Sequence, residues 1–232
     1  MLMTALLAAS CLALSACGQG SGEGTHPTES EETATEESAA TNENTQESTG
    51  QSESAGEKDA LVVYFSRTGE QYEVGLIEKG NTAIVADMIT ETTGADSFEI
   101  LPKEDNYPNT YDELTEVAKK EQNENARPAI AGEVPDLSKY STVFIGAPVW
   151  WGDWPMIMYT FFEENADALA GKTLTPFSTH GGSGLSGFDE KLASACPDST
   201  VGEGLAISGK DAQNDQDSVR NEVNDWLAGL GY

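Results

Sequence analysis

The feature that most constrains the fold is a set of apolar runs without polar alternation. Residues 61–65 (LVVYF) and 142–147 (TVFIGA) carry almost no polar side chains. A strand with one wet face alternates, so such runs predict strands covered on both faces, as in a parallel sheet between two helical layers. Helical patterns stand between them. Residues 81–93 set Ile84, Val85, Met88 and Ile89 on one face, and Thr110-x-x-Glu113 has the form of a capping box ahead of Leu114, Val117 and Ala118. That helix is expected to stop before Arg127-Pro128, because a residue preceding proline avoids helical backbone. Residues 98–101 are a second, shorter strand, 172–177 a fourth and 205–207 a weak fifth. Pro155 suits the first turn of the helix after the third strand, and 188–196 predict a short helix. Val219, Val223, Trp226, Leu227 and Leu230 form the apolar stripe of a closing helix. Five βα units in succession predict an α/β fold, an open parallel sheet with helices on both faces.

Residues 1–58 do not belong to this pattern. The stretch 1–16 (MLMTALLAASCLALSA) is a signal-peptide h-region, too short to span a membrane. Leu14-Ser15-Ala16-Cys17 resembles the bacterial lipobox, which implies cleavage before Cys17 and lipidation of its sulfur. No Lys or Arg precedes the apolar run, so the expectation includes a start upstream of Met1. Residues 17–58 are rich in Gly, Ser, Thr and Glu, too polar to offset the entropy of ordering, and are expected to be a disordered acidic tether in which His26 is inert. The domain is then 59–232, anchored outside the cytoplasm by lipid alone.

Acidic residues outnumber basic ones 40 to 12, which argues against nucleic acid and leaves a basic protein partner or simple solubility. With Cys11 removed and Cys17 modified, Cys196 stands alone, so no disulfide framework is expected. Beside Pro197 it is read as a semi-buried helix-end residue. No metal site is expected.

In open parallel sheets ligands bind at the carboxyl ends of strands, so the loops after the first, third and fourth strands matter most. The first is Ser66-Arg67-Thr68-Gly69, whose hydroxyls and backbone N–H groups suit a phosphate nest or a plain turn. Asn81 and Thr82 open the next helix and are expected to return to this loop, with the insertion 70–80 looping out. No GK[ST] follows this loop, which disfavours a P-loop there. The second loop is Pro148-Val149-Trp150-Trp151-Gly152-Asp153-Trp154, whose indoles suit a flat ring. Trp154 is expected to pack under the next helix, and Asp153 has a second reading as that helix's N-cap. The third is Thr179-His180-Gly181-Gly182-Ser183-Gly184, where glycines allow close backbone approach and His180 is either a ligand contact or structural.

The stretches YFSRTGE…IEKGNTAIVADMI, FIGAPVWWGDWPM and GKTLTPFSTHGGSG together resemble the flavodoxin-like family over about residues 60–232. The resemblance implies a flavodoxin-like sheet of five strands in the order 2-1-3-4-5, and FMN as cofactor. It implies that Ser66, Arg67, Thr68, Gly69, Asn81 and Thr82 hold the phosphate. Pro148, Val149, Trp150, Trp151 and Gly152 would line the ring, with Trp151 stacking, and Thr179, His180, Gly181, Gly182, Ser183 and Gly184 would border its polar edge. Gly152-Asp153 matches the peptide that flips towards the reduced ring in flavodoxins. Two departures stand out: the insertion 70–80, and the lack of a third-loop aromatic over the ring's second face, which is then open or covered by Tyr72. Scarcity of Lys and Arg between Arg127 and Lys172, Lys139 apart, would disfavour an anionic reduced ring. The expected partner is a redox protein or a small electron acceptor such as a quinone. The competing reading is a binding lipoprotein that kept the scaffold without the flavin.

Overall fold

In the computed structural model, which describes residues 59–232, the first apolar run is β1 (Ala60–Tyr64), buried from Ala60 to Val63. The expected leader 1–16, Cys17 and the tether 17–58 lie outside the described residues. β1 accounts for the missing alternation: Leu61, Val63 and Phe65 enter one apolar layer, Ala60 and Val62 the other. Each face of the strand meets hydrocarbon, and each buried Phe, Leu or Val side chain contributes on the order of 1.5–3 kcal/mol.

After β1 the chain makes a hairpin of β2 (Gly69–Gln71) and β3 (Gly75–Ile77), then α1 (Asn81–Thr93), β4 (Asp96–Glu99) and α2 (Tyr111–Glu124). The 3-10 turn Leu137–Lys139 leads into β5 (Thr142–Pro148), followed by α3 (Met156–Glu164) and α4 (Ala166–Leu169). Next come β6 (Thr173–His180), α5 (Phe188–Ala195), β7 (Thr200–Val201), β8 (Leu205–Ser208), α6 (Gly209–Asn214) and α7 (Gln216–Gly229).

The main sheet is parallel and runs β4-β1-β5-β6, with β7 and β8 both paired to β6. This is the expected order 2-1-3-4-5, its fifth position filled by two short segments. β7 meets Thr173 and Leu174, and β8 meets residues 177–180. Gly202 and Gly204 separate the two pieces, and glycines weaken a strand. α2, α3 and α5 cover one face through Leu114, Ile157, Phe161, Phe188 and Leu192. α1 and α7 cover the other through Ile84, Val85, Met88, Ile89, Val219, Val223 and Leu227.

Three local expectations change. The second strand lies at Asp96–Glu99 instead of 98–101, because its register follows β1, which ends at Tyr64 opposite Glu99. The insertion is a hairpin, and its Glu70 carboxylate accepts the Tyr111 N–H at 3.0 Å, so the start of α2 is capped from outside the helix. Thr110 bonds the Glu113 carboxylate and caps no backbone N–H. Asp153 is not the N-cap of α3, since Pro155 holds that position. α2 does end as expected, with Asn125 left-handed at φ 50° ahead of Arg127-Pro128.

The chain leaves β1 for β4 on one side and returns across it to β5 on the other. Loops at the carboxyl ends of β1 and β5 therefore diverge and leave a cleft.

Candidate functional site

A cavity of about 500 Å³ opens at that cleft, within the range of small-molecule sites. Its walls are the turn after β5 (Pro148 to Gly152), the end of β6 (Thr179, His180, Gly181, Ser183) and Asn81 at the start of α1. One face of α2 (Tyr111, Leu114, Thr115, Ala118), Gln71 and Tyr72 of the hairpin, and Gly209 complete it. No carboxylate, amine or thiol is among these residues.

The tryptophan turn is tightly built. Trp150 and Asp153 exchange two backbone hydrogen bonds of 3.0 Å across Trp151 (φ 52°) and Gly152 (φ 72°). Two left-handed central residues make this a type I′-like turn. Positive φ is unfavourable for so bulky a residue as Trp151. Its indole N–H donates to the Thr115 carbonyl at 2.9 Å, and the Lys119 ammonium lies 5.1 Å from the ring centroid. The indole thus lies along α2 and stays 54% exposed. Trp150 is instead wedged edge-to-face between Phe65 and Tyr107, at 5.4 and 5.3 Å. Trp154 is core, as expected: 1% exposed and stacked 3.6 Å from Phe188. The Asp153 carboxylate accepts from the Trp154 N–H and the Tyr159 hydroxyl.

The third loop is tied to the second by the Val149 N–H donating to the Thr179 carbonyl at 2.9 Å. Ser178 fixes its far end by donating to the Gly184 carbonyl at 3.1 Å. The Gly182 N–H donates to His180 Nδ1 at 2.9 Å, which leaves the proton of a neutral imidazole on Nε2. Burial lowers the His180 pKa below its ordinary value, with Asp211 opposing, so the ring is neutral at pH 7. Gly181 permits a close approach: a Cβ there would lie 2.6 Å from the Tyr72 ring. Tyr72 also tilts against Tyr111, with centroids 5.7 Å apart. The hairpin therefore supplies an aromatic wall where the third loop has none.

Of the nest residues Asn81 lines the cavity, and Ser66, Arg67 and Thr82 do not. Ser66 Oγ accepts the Ala83 N–H at 3.1 Å, and a Cβ on Gly80 would lie 2.1 Å from that oxygen and 2.7 Å from the Arg67 carbonyl. Only glycine at position 80 lets the loop close on the start of α1, as a cradle must. The first-turn N–H groups of Asn81 and Thr82 remain free of backbone partners, at the positive end of the helix. The Thr82 hydroxyl bonds that of Thr179 at 2.7 Å, so these two positions 97 residues apart do meet. Arg67 differs from expectation. Its guanidinium bonds the Asp105 carboxylate at 2.8 Å and the Tyr107 carbonyl at 3.0 Å, so its side chain serves the β4–α2 loop. Thr68 is exposed and Gly69 packs against Asn109; neither lines the cavity, nor do Gly182 and Gly184.

Sequence reasoning left out the α2 wall, Gln71 and Gly209. The apolar stripe of α2 gave no sign that part of it faces a cavity, because Leu114 and Ala118 read equally as core. It also missed the cations. Lys119 lies over Trp151, and the Lys191 ammonium donates to the Gly152 carbonyl at 2.6 Å. Both reach the tryptophan turn from other elements, so the cation-poor stretch between Arg127 and Lys172 does not describe the charge around the site.

A family model described as flavodoxin matches residues 59–227. Among solved structures, a chain from Bacteroides eggerthii named as a candidate flavoprotein is 29% identical, with a TM-score of 0.57 over 75% of this chain and 98% of that one. A similarly named chain from Bacteroides uniformis is 28% identical, with a TM-score of 0.57 over 73% and 97%. A flavoprotein in complex with FMN from Lactobacillus acidophilus is 19% identical, with a TM-score of 0.53 over 69% and 99%, a likeness of fold. No curated protein matches the sequence.

Proposed function

This chain belongs to the flavodoxin family, and from that premise we propose that it binds FMN in the cavity beside Trp151 and carries electrons outside the cytoplasm, held to the membrane by lipid on Cys17. The observation that carries the reading is the meeting of the β5 and β6 tips with the start of α1 at one cavity that has an aromatic wall and no carboxylate, amine or thiol. Such a wall leaves the chemistry to a bound group; FMN, when bound, supplies electron transfer.

The residues fit that group. The free N–H groups of Asn81 and Thr82, with the Ser66–Gly69 backbone drawn close by Gly80, suit a phosphate at a helix N-terminus. Trp151 offers an exposed indole face for stacking, and Tyr72 a second aromatic surface. His180 Nε2–H, beside Gly181 and Ser183 on the cavity wall, can donate to the polar edge of a flat heterocycle. The net charge of −28 favours a basic docking face on the redox partner; a small acceptor such as a quinone is the other use of the same site.

The test is reconstitution. The purified full chain is expected to be yellow, or to become so with FMN, and to bind FMN at least about ten-fold tighter than riboflavin, which lacks the phosphate. Gly80→Ala is expected to erase that preference. A colourless protein that never takes up FMN would instead support a binding lipoprotein on this scaffold.

A further inference from the structure

Lys191 stands on α5, outside the cavity, yet its ammonium is the hub between two of the site's loops. It donates to the Gly152 carbonyl at 2.6 Å and to the Ser186 carbonyl at 2.7 Å. Gly152 lines the cavity and Ser186 lies in the loop that continues from Gly184. Its carboxylate neighbour is Asp153, 3.7 Å away, which is itself engaged by the Trp154 N–H and the Tyr159 hydroxyl. A hydrogen bond from an ammonium to two carbonyls is charge-assisted and directional. A cation is therefore held one peptide from the cavity, by contacts that also fix the turn carrying Trp151.

Taking the FMN reading above as its basis, we propose that Lys191 is a positioning residue that clasps the Gly152 peptide and, by its charge, shifts the site towards the reduced, anionic form of the ring relative to a site without that ammonium. Its ammonium attracts the charge that reduction adds. Removing it takes away that attraction and leaves Asp153 facing the turn without its cation. Both changes disfavour an anion in the cavity, so they act in the same direction. An uncharged oxidised ring senses little of either.

The experiment compares the full-length wild type with Lys191→Met, Lys191→Gln and Lys191→Arg, measuring affinity for oxidised FMN by fluorescence and the reduced-to-oxidised affinity ratio by anaerobic redox titration. Lys191→Met is expected to lower that ratio about ten-fold, a ratio from which any loosening of the turn common to both forms cancels. Lys191→Gln keeps a donor without the charge and is expected to behave like Lys191→Met, whereas Lys191→Arg restores the ratio. A role confined to tying the loops together would leave the ratio unchanged in Lys191→Gln, and that result overturns the proposal. So does a ratio that is unchanged or raised in both Lys191→Met and Lys191→Gln while wild type binds FMN. A wild type that binds no FMN overturns the cofactor reading and the inference together, so the two failures are told apart.

Discussion

Replacing Trp151 by Ala separates binding from folding. About half of the indole is exposed, and a Trp side chain buries up to ~250 Å² when fully covered. A flat ring laid on the available face covers roughly 70 Å², about 1.7 kcal/mol at about 25 cal/mol per Å². Offset stacking adds about 0.5–1.5 kcal/mol. The sum, about 2–3 kcal/mol, corresponds to a rise in FMN Kd of roughly 30- to 160-fold. The fold loses much less, because the indole's anchors, the Thr115 carbonyl and the Lys119 ammonium, are contacts at an exposed surface. An exposed cation–π pair contributes about 0.5–1 kcal/mol. Titration of FMN with fluorescence detection, alongside urea denaturation of the same unliganded variant, measures both quantities. Tight binding within three-fold of wild type would refute the stacking argument, as would a loss of affinity matched by a comparable loss of stability.

Trp154→Ala should do the reverse. Its ring is buried, stacked on Phe188, and donates its N–H to the Phe188 carbonyl at 3.2 Å, so about 3–5 kcal/mol of stability is expected to disappear in urea denaturation. Glu121 provides a pH test. Burial raises its pKa above the ordinary 4.5, with the Tyr107 hydroxyl opposing, so the folded state binds this proton more tightly than the unfolded state. That contribution to stability is full below 4.5 and lost as pH rises through the folded value. Glu121→Gln is therefore expected to equal or exceed wild-type stability at pH 7 and to lose that advantage as pH falls towards 4; a pH-independent difference would rule this out. Cys196, buried with its thiol pushed up to about 11, is expected to resist alkylation in the native protein at pH 7 and to react on unfolding.

The sequence by itself determined the sheet and its two helical layers. The unalternating runs of β1 and β5 admit few other folds, and Asn81–Thr93 announces its helix by period alone. Glycine spacing and the tryptophan cluster also marked the β5 and β6 tips that line the cavity, because such residues at a strand's end suit close backbone approach and flat contact surfaces. Tertiary structure decided what those residues touch. Arg67 was committed to Asp105, 38 positions away, by a partner no local pattern reveals. Tyr72 became a cavity wall because Glu70 fastens its hairpin to the start of α2. Lys191 and Lys119 brought positive charge to a turn whose own sequence carries none. Hydrophobic period is a local property of the chain, repeated every two or 3.6 residues, and so can be read along it. Pairing of charges and aromatic rings depends on distances in space, which the packing of whole elements sets.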